Sequence, residues 1–128
     1  MKALIASCFE SNEERMAYVA KACQEKGYEV LLCTSDFSHI RKTKREDLPS
    51  SYLPIKTMPY QRNLSFARIL SHRKFAKDCF SFIRKEEPDL LWLMAPANSL
   101  IEEAKKYKKE HAKTKLIIDI IDMWPESL

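Results

Sequence analysis

A chain of 128 residues with 45% hydrophobic content is long enough to bury a core of its own and too apolar to stay disordered. Its net charge of +4 is uneven: residues 39–77 hold ten Lys/Arg against Glu46 and Asp47, a net +8, while the 12 basic and 16 acidic residues elsewhere give −4. No apolar run approaches the roughly 20 residues that span a bilayer, and acidic residues from Glu10 onward come too early for a secretory signal, so a single cytoplasmic domain over residues 1–128 is expected.

The run "KALIASCF" predicts a short buried strand. In "ESNEERMAYVAKACQEKG", Ser11 or Asn12 suits a helix amino cap and Glu13 and Glu14 favour its positive end. Met16, Val19, Ala20 and Cys23 recur at helical spacing, and Gly27, the only glycine, stands where a carboxyl cap wants a left-handed residue. "YEVLLCTS" predicts a second buried strand, and a crossover of this length points to a parallel pair. The polar, basic and proline-punctuated "DFSHIRKTKREDLPSSYLP" predicts a long mobile connection with at most one helical turn, and "IKTMPY" a weak third strand limited by Pro59.

From Ser65, Phe66, Ile69, Leu70, Ala76, Cys79, Phe80 and Ile83 are expected on one face of a long helix closed by Pro88. "DLLWLM" predicts a fourth strand. "NSLIEEAKKYKKEH" predicts a helix with Leu100, Ile101, Ala104 and Tyr107 inward, and "KLIIDII" a fifth strand. This alternation predicts an α/β domain: a Rossmann-like doubly wound, mostly parallel five-stranded sheet, order 3-2-1-4-5, with helices on both faces.

Cys8, Cys23, Cys33 and Cys79 lie far apart among apolar neighbours and read as buried thiols. Together with His39, His72 and His111 they offer no clustered metal-ligand spacing, so no metal is expected. One glycine in total argues against a dinucleotide-binding turn.

In such a sheet the ligand crevice lies beyond the strands' carboxyl ends, where strand order reverses. Loops after the first, fourth and fifth strands would converge there, offering Ser11 and Asn12, then Asn98 and Ser99, then Asp122 and Glu126. Capping explains Asn12, Asn98 and Ser99 as well as ligand contact does, and Pro125 with Glu126 also suits a first helical turn. Asp122, directly after a buried strand, must be solvated, capped or engaged by a ligand. Asp119, inside that strand, is expected to face an edge or to partner a buried group.

Three signals carry a resemblance. Gly27, Tyr28, Glu29 and Val30 enter the second strand, Pro88 and Asp89 precede Leu90 and Leu91 in the fourth, and Asp122, Trp124, Pro125, Glu126 and Ser127 follow the fifth. Across its whole length the chain resembles the amino-terminal, acceptor-side domain of the family 4 glycosyltransferases of GT-B type, especially those building bacterial capsule, exopolysaccharide or O-antigen. Where many members have a glycine-rich loop after the first strand, this chain has Glu10, Ser11, Asn12 and Glu13.

The resemblance implies retaining transfer of a sugar from a nucleotide-sugar, UDP- or GDP-linked, to a lipid-linked saccharide acceptor, with no other cofactor. It implies sugar contact or orientation by Asp122, substrate contact by Glu126, and a carboxyl-terminal donor-binding domain as partner, without which 128 residues are expected to be inactive. It also gives the basic stretch a purpose. Arg41, Lys42, Lys44, Arg45, Arg62, Arg68, Arg73 and Lys74 would face an anionic membrane or phosphate at the inner face of the plasma membrane. No nucleic-acid module is recognisable. A flavodoxin-like ligand-binding or signalling domain and one subunit of a two-chain transferase are the alternative readings.

Overall fold

The computed structural model describes residues 1–95 and 98–120, so Asp122, Trp124, Pro125 and Glu126 lie outside the described residues. Among the described residues seven strands and three α-helices follow in order: β1 (Lys2–Ser7), α1 (Glu13–Glu25), β2 (Glu29–Ser35), β3 (Phe37–Ser38), β4 (Thr43–Lys44), β5 (Tyr52–Ile55), α2 (Phe66–Glu86), β6 (Leu90–Ala95), α3 (Asn98–Glu110) and β7 (Lys115–Ile120). A 3-10 turn over Glu10–Asn12 precedes α1.

The main sheet has the order β5-β2-β1-β6-β7 and every pair in it is parallel. This is the expected 3-2-1-4-5 order with two short strands inserted in the numbering. Those two, β3 and β4, form an antiparallel hairpin, in the stretch that the sequence predicts to be an open connection.

The third sheet strand is also displaced from expectation. It is Tyr52–Ile55, and "IKTMPY" contributes only its first residue. Pro54 is tolerated because β5 is an edge strand, where one side carries no ladder.

Both faces of the sheet are covered, which is why its strands read as near-continuous apolar runs. Ile5 and Met94 meet Met16 and Ala20 of α1 on one face. On the other, Leu4, Ala6, Leu91 and Leu93 meet Phe75, Cys79, Phe80 and Ile83 of α2 and Leu100, Ala104 and Tyr107 of α3. Each fully buried aromatic or aliphatic side chain there contributes about 2 kcal/mol.

Local signals fix the ends of the elements. Gly27 has φ of 89°, with Tyr28 N–H donating to the Cys23 carbonyl and Gly27 N–H to that of Gln24, the paired bonds of a Schellman cap. The Asp89 carboxylate accepts from Lys2 N–H at 2.7 Å, and Asp89 N–H donates to the Lys2 carbonyl. Pro88-Asp89 therefore aligns β6 with β1. All four cysteines are free and buried.

The predicted face of α2 is buried along its later turns only. The buried side of α2 runs through Ser71, Phe75, Ala76, Cys79, Phe80 and Ile83, whereas Phe66, Ile69 and Leu70 are exposed. Ile69, Ala76 and Phe80 do share one side of the helix, but the core contacts of α2 begin only at Phe75, so its first turns remain exposed.

Candidate functional site

Both β5 and β6 lead into helices, so the amino ends of α2 and α3 and the loop after β1 meet at the carboxyl edge of the sheet. Ser65 caps α2 by accepting from Arg68 N–H at 3.2 Å, while its hydroxyl donates to the Arg62 carbonyl. Between the first two turns of α2 and the first of α3 lies a cavity of about 370 Å³. Its polar lining comes from Asn63, Ser65, Arg68, His72 and Arg73 on one side and Asn98, Ser99 and Glu102 on the other, with Leu64 and Ile69 at the rim.

The cavity unites four residues singled out in the sequence, Arg68, Arg73, Asn98 and Ser99. The Ser99 hydroxyl and His72 Nε2 are buried with no hydrogen-bond partner among the described residues. The helix amino ends add positive potential, and Glu102 opposes it. His72, Asn63 and Glu102 carry no signal in the sequence that separates them from ordinary helix and loop residues.

A small aromatic group adjoins this cavity and shares His72 with it. The Phe9 ring lies 4.7 Å from His39 and 5.4 Å from His72, and Tyr60 lies against both histidines. His39 Nδ1 is hydrogen-bonded to the Tyr60 hydroxyl. Burial, reinforced by Lys42 and Arg68, lowers His39 to about 4; burial, with Arg68 and His39, does the same for His72. Both imidazoles are therefore neutral near pH 7. Burial pushes the Tyr60 phenol and the Cys8 thiol up to about 12. The Arg68 guanidinium lies 5.8 Å from the Phe9 ring and donates to the Asn63 carbonyl at 2.9 Å.

The loop after β1 is occupied with its own structure. Asn12 is buried and neither caps α1 nor lines the cavity; its amide donates to Ser7 Oγ at 2.9 Å, and Ser7 Oγ accepts from Phe9 N–H. Ser11 is exposed. Neither belongs to the cavity.

The basic segment divides in two. Arg45, expected to face a membrane or phosphate, is instead buried, its side chain 5% exposed and forked onto the Glu13 carboxylate, with Glu10 at 3.9 Å. An arginine taken out of water needs such partners. Arg41 pairs with Asp47 at 3.1 Å, and Lys42 donates to the His39 carbonyl. Lys44 is exposed. On α2, Lys74 pairs with Asp78 at 2.6 Å, whereas Arg73 on the helix and Arg62 in the loop before it are exposed with no carboxylate partner among the described residues.

Asp119 takes the expected edge position, and its ion-pair partner is an exposed arginine rather than a buried group. It lies on edge strand β7 and is paired, accepting from Arg15 Nε at 2.7 Å, Arg15 Nη2 at 3.0 Å and Trp92 Nε1 at 3.2 Å. Among the described residues no group of three or more His, Cys, Asp or Glu could hold a metal ion, and no helix is long and apolar enough to cross a membrane.

Fold and cavity together define a Rossmann-like α/β domain with a largely apolar pocket, carrying a few polar groups, at the carboxyl edge of a parallel sheet. The chain matches no protein-family model and no curated protein sequence at significant similarity.

Proposed function

We infer that this domain is the acceptor-side half of a retaining GT-B glycosyltransferase, moving a sugar from a UDP- or GDP-sugar to a lipid-linked saccharide in surface polysaccharide synthesis. The observation that carries the reading is the cavity where α2 and α3 begin. Its volume falls within the range of small-molecule sites. Carboxamides of Asn63 and Asn98 and the hydroxyl of Ser99 both donate and accept, as recognition of a saccharide's hydroxyls requires, and Arg68 and Arg73 suit a phosphate. The sequence resemblance around Gly27, Pro88 and Asp122 supports the same reading from independent residues.

Asp122 follows the end of β7 by two residues, and on this reading it contacts or orients the sugar, while Glu126 contacts substrate. Transfer between two bound sugars needs groups from both walls of a cleft. The reading therefore calls for a donor-binding domain opposite this one, in the same polypeptide or in another.

The test uses the full-length polypeptide with membranes containing lipid-linked saccharide diphosphates and a series of radiolabelled UDP- and GDP-sugars. Label is expected in the solvent-extractable lipid fraction with at least one donor. Absence of transfer from every donor tried overturns the reading.

A further inference from the structure

Two polar atoms of the cavity lining stay unused by the fold. The Ser99 hydroxyl, on the first turn of α3, and His72 Nε2, on the second turn of α2, are shielded from solvent and have no hydrogen-bond partner among the described residues. Both residues line the cavity, from helices on opposite sides of it. A buried polar group left unpaired is costly and rare in a native protein, and beside open space it is met by solvent or by a ligand.

The charged groups of the cavity are placed differently. Arg73 and Glu102 are exposed, and Arg68 donates to the Asn63 carbonyl and lies against the Phe9 ring. Charge therefore sits where the cavity opens, and its buried polar atoms belong to uncharged groups. His72 is held there by rings: Phe9 and Tyr60 meet it at interplanar angles of 76° and 87°. Edge-to-face packing of this kind fixes the plane of the imidazole, yet Nε2 is left without a partner.

We propose that His72 and Ser99 together read one hydroxyl of the bound saccharide, which enters the cavity sugar first and leaves its phosphate at the mouth beside Arg73. This rests on the transferase reading and adds to it a specificity residue and a direction of entry. A hydroxyl both donates and accepts, so it can satisfy an imidazole nitrogen in either tautomer and a serine hydroxyl at once. An ionised phosphate only accepts, and would leave Nε2 unpaired whenever that nitrogen carries no proton. Charge argues the same way. A phosphate drawn down to His72 would exchange its water for an uncharged imidazole, while at the mouth it stays hydrated and meets a guanidinium.

The experiment is ring-nitrogen NMR of the full-length polypeptide, isotopically labelled at histidine, titrated near neutral pH with methyl glycosides of glucose, galactose, mannose and N-acetylglucosamine, and separately with inorganic phosphate. The His72 resonance is assigned by its loss in His72→Phe. At least one glycoside is expected to shift it saturably, and phosphate to leave it in place. Affinities of the variants are read from the glycoside's own signals. His72→Phe keeps a ring in the aromatic packing but no hydrogen bond, and should weaken that glycoside about tenfold. His72→Gln gives up the ring but keeps a group that donates and accepts, and should bind within about threefold of the parent. Unchanged far-UV circular dichroism confirms that both variants fold. Undiminished binding by His72→Phe, or binding by His72→Gln as weak as that expected of His72→Phe, shows that the ring only packs and overturns the proposal. A His72 resonance that no glycoside moves leaves the two atoms to solvent and overturns it too, as does one that phosphate moves in the glycosides' place. Binding is read without sugar transfer. Glycoside binding without transfer from any donor therefore overturns the transferase reading alone, and transfer with an unmoved His72 overturns this proposal alone.

Discussion

Arg15 on α1 and Asp119 on β7 form a two-bond ion pair that ties the helix to the edge strand across 104 residues of sequence. The Asp119 side chain is only 9% exposed, and the indole N–H of Trp92 shares its Oδ2. The Arg15 guanidinium holds its carboxyl below the usual carboxylate range, outweighing burial, with Trp92 adding to the effect. Asp119→Ala removes charge-assisted bonds and strands the Trp92 N–H. A loss of about 2 kcal/mol is expected by urea denaturation, and a change within about 0.5 kcal/mol would show the pair to be incidental.

Arg45 gives the sharper structural prediction, since its substitution leaves Glu13 and Glu10 facing each other in a mostly dry setting. Arg45→Met should destabilise the fold by about 3 kcal/mol. Glu13→Gln in the same chain should restore part of that loss, because the stranded charge is then gone. Urea denaturation of the single and double variants measures both. If Arg45→Met is as stable as the parent, the buried cluster is not a stabilising unit.

Acid should weaken the fold through two partly buried histidines. His39 and His72 accept protons near pH 6.5 in the unfolded chain but only near 4 in the folded one. Between those values the unfolded state binds more protons, so stability is full above about pH 6.5 and falls as pH drops toward 4. Asp119, whose folded value is depressed, loses its contribution only at lower pH, below its ordinary 3.8. The urea midpoint should fall across this window, and His72→Gln should remove roughly half of the slope. Histidine NMR titrations centred near 6.5 in the folded protein would contradict the assignment.

Much of the fold was legible because each core strand is a short apolar run buried on both faces, and because Gly27 and Pro88 punctuate the chain where helices end. The third strand was not, since Pro54 and Pro59 both argue against a ladder and only the edge position of β5 reconciles the first with a strand. The β3-β4 hairpin was hidden in "FSHIRKTK", whose side chains show no alternation. Arg45 read as a free cation because its partner Glu13 is 32 residues away. The exposed start of α2 was not legible either: Phe66, Ile69 and Leu70 fit the helical period, but period alone does not say how far along the helix the core extends. Of the candidate site, Arg68, Arg73, Asn98 and Ser99 were found by residue type and position after a strand or within a basic run. His72 was not, because nothing local distinguishes it from a core histidine.

On the transferase reading the cavity between α2 and α3 holds the acceptor rather than the donor. The direct measurement is steady-state transfer by the full-length protein carrying Asn98→Ala or Ser99→Ala, with acceptor and donor varied separately. Loss of one hydrogen bond to the acceptor should raise its KM about tenfold, leaving the KM for the nucleotide-sugar unchanged. A raised donor KM with an unaltered acceptor KM would contradict the claim.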